Sequence, residues 1–454
     1  MTHDPQGPPL AGADLVSPDE ATRAIEALMA LHPKGFDLTL ERIRRLLARL
    51  GDPQNKLPPT IHIAGTNGKG SCAAFCRALL ESGGHKVHVH TSPHLVRWHE
   101  RFRIAGELVD DAVLAQAVAR VAEANGGAPI TVFEILTAVM FVLFSEHEAD
   151  AAIVEVGLGG RADATNVIDR PAVSVIMPIG LDHQLHLGDT VDLIAGEKAG
   201  IMKPDVPVVI SAQPYPLARD VLVARAEAVG APARIYGEHF IAFEEHGRFV
   251  FQDTDGLLDL PLPALPGRHQ LANAATAIAA LRAGGFVLTE AGAERAMQAA
   301  SWPARMQRIT AGDLVDLAPQ GAEIWLDGGH NPDGAAMAAE FLAAREEEVE
   351  RPLFMIAGML DTKDALGFFR VYEGLVRHVF TVPVPDSEAG HDPVHLADLA
   401  LEAGLSAEPM DDVRSALRLL AESWNGLERP PRILIGGSLY LAGQVLRENG
   451  TLPD

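Results

Sequence analysis

Hydrophobic and polar positions along the chain follow two patterns that together predict a mixed α/β protein. An amphipathic helix is predicted first, from apolar residues at helical spacing with arginines between them: Leu40, Ile43, Leu47 and Leu50. The segment 60–90 then holds a short apolar run over 60–64, a glycine-rich turn, a helical stretch to about residue 82 and a second apolar run over 87–90. This succession of strand, loop, helix and strand is typical of a parallel crossover.

The same alternation continues to the end of the chain. Further apolar runs end at Glu155 and near Ile179, so the first 300 residues predict a wound α/β sheet. The rest of the chain repeats the pattern with four strand-like runs, which are 323–327, 353–358, 378–384 and 432–437. We therefore expect a mobile N-terminal tail over 1–20, a first domain over 21–300, a linker over 301–308 and a smaller domain over 309–454.

Composition and charge exclude several classes of protein. The chain has 454 residues, of which 48% are hydrophobic and 22% charged, as in ordinary globular proteins. Its net charge of −24 disfavours binding to nucleic acid or to an anionic membrane surface. The longest apolar run, 135–144, is about half as long as a membrane-spanning helix requires. Cys72 and Cys76 predict two buried thiols rather than a disulfide framework, and we expect a cytoplasmic protein.

One segment reverses the acidic balance. Between Ile61 and Arg103, six Lys and Arg residues stand against two acidic ones, together with six histidines. This segment contains the glycine-rich sequence 65–71, which lies between a predicted strand and a predicted helix. Glycines let backbone N–H groups converge on phosphate oxygens, and Lys69 supplies a cation for them. The match to the usual phosphate loop is imperfect, because Gly70 rather than Ser or Thr follows Lys69.

A nucleoside triphosphate requires Mg²⁺, which prefers oxygen ligands. Glu155 ends a predicted strand and His183 follows the next one, so both should reach the carboxyl edge of the sheet. Taken alone, Glu155 could be a structural cap and His183 a hydrogen-bonding residue. Together with the phosphate loop they predict a metal site.

The alternation of strands and helices and the phosphate loop together predict the fold class. It is α/β, with a P-loop-containing wound sheet domain followed by a smaller Rossmann-like α/β domain.

Eight motifs in one order resemble the folylpolyglutamate synthase and dihydrofolate synthase family. They are GTNGKGS at 65–71, TSPHL at 91–95, EVGLGGRADATN at 155–166, LDH at 181–183, EKAGIMKP at 197–204, HQLANAATA at 269–277, DGGHNP at 327–332 and GSLYL at 437–441. The resemblance implies a ligase that uses ATP as co-substrate, with one or two Mg²⁺ ions. It implies that the acceptor is 7,8-dihydropteroate or a reduced folate, that L-glutamate is added through an acyl phosphate, and that the protein is a monomer.

The resemblance also implies roles for individual residues. The ATP-binding positions are Thr66, Asn67, Gly68, Lys69, Gly70, Ser71, Asn273, Arg305, Asp327 and His330. The magnesium ligands are Ser92, Glu155 and His183, and Lys198 corresponds to a lysine that the family carbamylates to support a second metal. Lys69, Lys198 and His183 are expected to serve catalysis, while Phe133, Glu134 and Ala162 correspond to the pterin pocket. Three positions depart from the common pattern of the family: Ala162, where leucine is usual, Ala304 and Gly329.

Two other functions fit parts of the sequence. Mur ligases share the chemistry, but their phosphate loop lies about a hundred residues into the chain, and the DGGHNP motif lacks the tyrosine usual at its second position. A non-catalytic nucleotide-binding module is the second alternative. It would not need the lysine, the metal ligands and the groups from the second domain, all of which this chain keeps. Whether the first glutamate, later glutamates or both are added stays open, and we expect both.

Overall fold

A computed structural model describes residues 19–29, 31, 39–385, 387, 389–426 and 428–453. The predicted tail over 1–20 lies outside these residues except for Asp19 and Glu20, and Glu20 begins the first helix. In the described part of the chain, no helix is both long enough and apolar enough to span a membrane.

An eight-stranded sheet organises the first half of the chain. Its strands, in spatial order, are β4 (Glu107–Leu108), β3 (Phe102–Ile104), β2 (Val87–His90), β5 (Ala151–Glu155), β1 (Thr60–Ala64), β6 (Val173–Ile176), β7 (Val208–Ile210) and β8 (Ala233–Ile235). The six strands from β2 to β8 run parallel, and β3 and β4 extend the sheet as antiparallel strands. This confirms the predicted wound sheet. β6 ends earlier than the apolar run, since Pro178 has no N–H to donate.

Helices cover both faces of this sheet. The α-helices described in this half are α1 (Glu20–Met29), α2 (Glu41–Arg49), α3 (Lys69–Ser82), α4 (Asp111–Asn125), α5 (Val132–Glu146), α6 (Gln184–Leu187), α7 (Val191–Lys198), α8 (Pro216–Val229), α9 (His269–Ala283) and α10 (Glu290–Ala299). α3 and α9 pack on one face, and α4 and α5 pack on the other. The predicted apolar run 135–144 is thus buried in the core of a globular fold within α5.

A small antiparallel sheet in the first half was missed by the sequence analysis. It consists of β9 (Phe240–Glu245), β10 (Arg248–Asp253) and β11 (Gly256–Pro261), in that spatial order. β9 and β10 join through His246 and Gly247, which both have positive φ, as a tight hairpin requires. Phe249 and Phe251 point into the core beside α9.

A six-stranded sheet forms the second half. In spatial order its strands are β12 (Gln307–Ile309), β13 (Glu323–Asp327), β17 (Arg432–Gly436), β14 (Leu353–Ala357), β15 (His378–Thr381) and β16 (Ala407–Pro409). All neighbours pair in parallel except β12, which is antiparallel to β13 and already begins within the predicted linker. The α-helices in the described part of this half are α11 (Pro332–Glu348), α12 (Ala365–Arg370), α13 (Pro393–Glu402), α14 (Val413–Ser423) and α15 (Leu439–Glu448).

Candidate active site

The glycine-rich loop lies between β1 and α3, as its sequence predicts. Gly65 and Gly68 have φ values of +152° and +82°, which residues other than glycine rarely adopt. The first intrahelical bond of α3 runs from the Cys72 N–H to the Gly68 carbonyl oxygen, over 2.9 Å. The N–H groups of the three residues before Cys72 therefore have no partner within the helix, and together with the helix dipole they form an anion-binding site.

Lys69 connects this loop to the carboxyl edge of the sheet. Its Nζ donates to the carbonyl oxygen of Thr66 over 3.2 Å and lies 3.9 Å from Oε1 of Glu155. Glu155 ends β5 and is 4% exposed, and its Oε2 accepts a bond from the Ser92 N–H over 3.4 Å. Burial raises the pKa of Glu155, while Lys69 and the Ser92 N–H oppose that rise. A cation placed beside this buried carboxylate would favour its charged form.

Asp182 and His183 occupy the loop after β6. Oδ2 of Asp182 lies 3.8 Å from Nε2 of His183 and 3.4 Å from Nε2 of His330, and its Oδ1 accepts a bond from Nζ of Lys363. Burial alone raises the pKa of Asp182, but the two histidines and Lys363 outweigh it and hold that pKa well below its ordinary value. Desolvation and the nearby lysines lower the pKa of His183, so its imidazole is neutral at pH 7, the form that binds metals.

Lys198, at the end of α7, is a buried lysine of unusual acidity. It is 5% exposed, and no carboxylate of the described residues lies within ion-pair distance of its Nζ. Burial, and then the charge of Lys69, lowers its pKa to about 7. A large fraction of its amine is therefore neutral at physiological pH, and a neutral amine is the nucleophilic form.

Two of the predicted ATP-binding residues border a cavity of about 650 Å³ between the two halves. Gly70 and Arg305 line it, and a side chain added at Gly70 would meet the ring of Trp302 at 2.6 Å. Asn273 of α9 lies against Gly68, where an added Cβ would meet its Oδ1 at 2.8 Å. Gln270 links Asn273 to Ser71, accepting from Nδ2 of Asn273 and donating to Oγ of Ser71.

Asp327 and His330 come from the second half of the chain. The carboxylate of Asp327 accepts bonds from the N–H groups of Met306 and Gly329, at 2.8 and 2.7 Å, and so holds the turn after β13. His330 lines a different cavity from Arg305, where it faces Asp182. His330 and Arg305, which were both predicted to contact ATP, therefore line different cavities, and Asp327 lines neither of them.

A second cavity, of about 400 Å³, contains all three predicted pterin-side residues: Phe133, Glu134 and Ala162. Glu134 is fixed there by Nε of Arg42, at 2.9 Å from its Oε2, and by the N–H and hydroxyl groups of Thr131. Phe133 packs so tightly on Gly157 that a Cβ added there would lie 2.3 Å from its ring. Ser92, Pro93 and Leu439 line both cavities, so the two cavities meet at the TSPHL segment.

Some residues of the site were missed by the sequence analysis. Arg42 was assigned only to an amphipathic helix, whereas its guanidinium reaches Glu134 in the cavity. Asp182 and Lys363 bridge the two halves, and Asp182 directly precedes the predicted ligand His183. Trp302 is a large aromatic residue within the predicted linker, a signal that could have been noticed.

The residues at the junction of the cavities fit a magnesium ion bound with a nucleotide. A buried carboxylate, that of Glu155, faces the phosphate loop, and the hydroxyl of Ser92 belongs to the same lining. Oxygen donors of this kind match the preference of Mg²⁺, which keeps several water ligands. His183 supplies one nitrogen donor at the side of the second cavity.

Comparisons with known proteins agree with this site. No protein-family model matches the chain. Folylpolyglutamate synthase of Lacticaseibacillus casei is 35% identical over 426 residues, covering 89% of this chain and 92% of the relative. The structure of Escherichia coli FolC in complex with DHPP and ADP has a TM-score of 0.83 at 30% identity and covers 95% of this chain and 97% of that one. A bifunctional folylpolyglutamate synthase/dihydrofolate synthase with Mn, AMPPNP and L-glutamate bound has a TM-score of 0.80 at 30% identity, covering 95% and 98%.

Fold and site together define a nucleotide-dependent enzyme of two α/β units with a phosphate loop at their junction. The chain belongs to the folylpolyglutamate synthase and dihydrofolate synthase family. The chain is therefore assigned to this family and not to the Mur ligases, and its α/β fold class agrees with that of the solved structures.

Proposed function

We propose that this chain is an ATP-dependent ligase that joins a pteroate or folate carboxylate to the amino group of L-glutamate, and that it accepts both 7,8-dihydropteroate and reduced folates. We call the cavity of about 650 Å³ the nucleotide cavity and the cavity of about 400 Å³ the acceptor cavity. One observation carries the proposal: the two cavities meet at Ser92, beside Lys69 and Glu155. A carboxylate that projects from the acceptor cavity would therefore arrive next to the terminal phosphate of ATP. Positioning of this kind supplies much of the rate enhancement in phosphoryl transfer.

Two steps account for the reaction. A carboxylate oxygen of the acceptor attacks the γ-phosphorus of ATP, the bond to the β,γ-bridging oxygen breaks, and ADP leaves. The amine of glutamate then attacks the acyl carbon and loses a proton, and inorganic phosphate leaves from the tetrahedral intermediate. Both reactants of the first step are anions, so Lys69 and the N–H groups at the start of α3 neutralise the charge that builds up between them. Mg²⁺, held by Ser92, Glu155 and His183, adds positive charge at the phosphates when bound.

Lys198 is proposed to act as a carbamate. Its neutral amine attacks the carbon of CO₂, a C–N bond forms, and one proton is released to solvent. The buried position and the pKa of about 7 support this step, because an ordinary lysine is almost wholly protonated at pH 7. The product is an anion, which Lys69 and a second Mg²⁺ ion would stabilise.

Substrate contacts are proposed from the cavity linings, which include Gly70 and Arg305 on one side and the three pterin-side residues on the other, and for the remaining residues from the motifs of the family. We assign the nucleotide to Thr66, Asn67, Gly68, Lys69, Gly70 and Ser71 with Asn273, Arg305 and Asp327, and the pterin side to Phe133, Glu134 and Ala162. Because His330 faces the acceptor cavity, we propose that it acts near the reacting carboxylate rather than on the adenosine.

Domain limits, oligomeric state and location complete the proposal. We take 21–300 and 309–454 as two domains that close on ATP, joined by the linker 301–308. The strand β12 within that linker refines the boundary, since the second sheet begins at Gln307. We also propose a monomer, on the resemblance to the family, and a location in the cytoplasm, on that resemblance and on the two free cysteines, Cys72 and Cys76.

Side-by-side assays test the substrate assignment. The purified chain is supplied with ATP, Mg²⁺ and L-glutamate, and with either dihydropteroate or tetrahydrofolate, and the products are identified by mass. We expect glutamate adducts from both acceptors, with phosphate released in equal amount. Adducts from one acceptor alone would restrict the chain to a single activity, and phosphate release that depends on neither would overturn the ligase assignment.

A further inference from the structure

Three side chains form a cluster apart from the two cavities. Asp19 directly precedes α1, His99 lies in the 3-10 turn 98–101 between β2 and β3, and Asp111 is the first residue of α4. One potential ligand atom from each lies within 4.8 Å of the others. None of the three lines either of the cavities described above, so the cluster is separate from the proposed reaction site.

His99 is the unusual member of this cluster. Its side chain is 7% exposed, and its Nδ1 is buried without a hydrogen-bond partner among residues 19–29, 31, 39–385 and the further described segments. This nitrogen lies 3.7 Å from Oδ2 of Asp19, beyond hydrogen-bond distance. A buried polar atom of this kind costs free energy unless something else satisfies it.

The separations in the cluster suit an ion between the side chains. Nδ1 of His99 lies 3.7 Å from Asp19, and its Nε2 lies 3.4 Å from Oδ1 of Asp111. Two atoms that are each about 2.1 Å from one metal ion lie about 3.4 Å apart at the tetrahedral angle. Both separations are too long for good hydrogen bonds. One ion binds only one nitrogen of an imidazole, so a shared metal ion accounts for one of the two separations, and one candidate ligand atom from each of the three side chains lies within 4.8 Å of the others.

Charge and orientation point to the same conclusion. No Lys or Arg of the described segments pairs with either carboxylate, so one imidazole faces two negative charges. Backbone groups hold both carboxylates in place: Thr22 N–H donates to Asp19 over 2.7 Å, and Glu20 and Ala21 N–H groups donate to Asp111 over 3.2 and 3.1 Å. Contacts of this type orient metal ligands in proteins.

We propose that Asp19, His99 and Asp111 form a structural binding site for a divalent transition-metal ion such as Zn²⁺. One imidazole nitrogen and two carboxylate oxygens are a donor set that suits such ions, and water completes the coordination because both carboxylates are partly exposed, at 36% and 38%. The ion joins α1 and α4 to the 3-10 turn of His99. The last residue of that turn, Arg101, lines the acceptor cavity, so the ion would stabilise the part of the cavity wall that contains Arg101.

Metal binding by the full chain tests the site without reference to activity. The protein is stripped with a chelator and equilibrated with Zn²⁺ in the absence of nucleotide, and bound zinc is measured per chain. We expect wild type to bind one equivalent more than His99→Gln or Asp111→Asn. Asp111→Asn keeps an acceptor oxygen for one of the two N–H groups of α1 that the carboxylate binds, so its fold should survive even if that of His99→Gln does not.

His85→Gln is the matched control. His85 also lies beside a carboxylate, with its Nδ1 3.9 Å from Oδ2 of Asp150, but it is not part of a three-ligand group. This variant should bind as much zinc as wild type. Co²⁺ should give a visible absorption band that wild type and His85→Gln share and that the two cluster variants lack, and Zn²⁺ should raise Tm by about 2 °C or more only where the site is intact. Equal zinc content and equal Co²⁺ spectra in wild type and Asp111→Asn would overturn the proposal.

Discussion

At the scale of single residues, Lys69 supplies the positive charge at the proposed reaction site. Its Nζ lies between the loop carbonyl of Thr66 and the carboxylate of Glu155, at the place where two anionic substrates would meet. We expect Lys69→Ala to lower kcat by about 100-fold or more, with an unchanged far-UV circular dichroism spectrum. The matched control is Lys56→Ala, which removes an exposed lysine from a surface turn. If Lys69→Ala turned over like Lys56→Ala, Lys69 would have no part in the mechanism.

Lys198 gives a prediction that depends on pH. Burial lowers its pKa to about 7, so the neutral, reactive amine becomes more abundant as the pH rises through 7. In ¹³C-bicarbonate we expect a carbamate resonance that grows between about pH 6 and pH 8 and is missing from Lys198→Ala. The control variant Lys86→Ala, which removes an exposed lysine, should keep it. A resonance of equal intensity in Lys198→Ala would show that the carbamate forms elsewhere.

At this scale, sequence analysis succeeded where a residue belongs to a local motif. Glu155 follows a buried strand, and the prediction that its carboxylate reaches the sheet edge is confirmed by its contacts with Ser92 and Lys69. Lys198 could not have been found from periodicity, because a lysine at a helix end normally lies in water. Its burial depends on the packing of α7, which only the fold specifies.

The phosphate loop and α3 form the element on which the nucleotide depends. Gly68 ends the loop with φ +82°, and an added Cβ would meet Oδ1 of Asn273 at 2.8 Å and Cε of Met177 at 3.2 Å. We expect Gly68→Ala to destabilise the protein by about 1–2 kcal/mol and to weaken ATP binding by at least tenfold. Urea unfolding and calorimetric titration with ATP measure the two effects.

Gly84→Ala is the control for Gly68→Ala, because it introduces the same backbone strain outside the phosphate loop. Gly84 has a similar φ of +88°, but nothing lies within 4 Å of an added Cβ. This substitution should cost about 1 kcal/mol of stability and leave ATP affinity unchanged. An ATP affinity that fell equally in both alanine variants would contradict a specific role for the loop geometry.

Elements were predicted well where the pattern was strong. The predicted runs 60–64, 87–90 and 323–327 coincide with β1, β2 and β13, since each is a buried strand of a parallel sheet with turn residues on both sides. β9 to β11 were missed because charged residues on their outer faces weaken the apolar pattern, and because the turn at His246–Gly247 lacks the Asn-Gly or Asp-Gly pair that is typical of hairpins. β15 is shorter than its apolar run because Pro383 interrupts the ladder.

Contacts between the two halves decide the behaviour of the whole molecule. Asn67 and Asn331 exchange amide hydrogen bonds over 3.1 and 3.4 Å, and Lys363 pairs with Asp182 across the cleft. We expect Lys363→Met to leave Asp182 without its cation, to lower kcat at least tenfold and to increase the radius of gyration of the ATP complex in X-ray scattering.

Arg377→Met provides the comparison for that variant. Arg377 pairs with Glu428 over 2.7 Å, but both residues are exposed and belong to the second half alone. Its loss should change neither kcat nor the radius of gyration, since exposed ion pairs contribute at most about 1 kcal/mol. Equal kcat and equal radii for Lys363→Met and wild type would show that the ion pair across the cleft has no part in closure.

The site as a whole could be predicted only as a set of separate motifs. The positive segment 61–103 indicated where anions would bind within a chain of net charge −24, and it does contain the phosphate loop and Ser92. Which motif from the second half faces which cavity was beyond the sequence, as His330 and Arg305 show. That arrangement depends on how the two sheets pack, and no periodicity within either half specifies it.

Transfer of ¹⁸O from the acceptor carboxylate tests the central claim most directly. Dihydropteroate labelled in its carboxylate is incubated with ATP, Mg²⁺, L-glutamate and the protein, and the released phosphate is analysed by mass. Formation of an acyl phosphate beside Lys69 and Ser92 predicts that each phosphate carries one oxygen atom from the acceptor. Glutamate adducts accompanied by unlabelled phosphate would contradict the acyl phosphate, and the absence of any adduct would contradict the ligase itself.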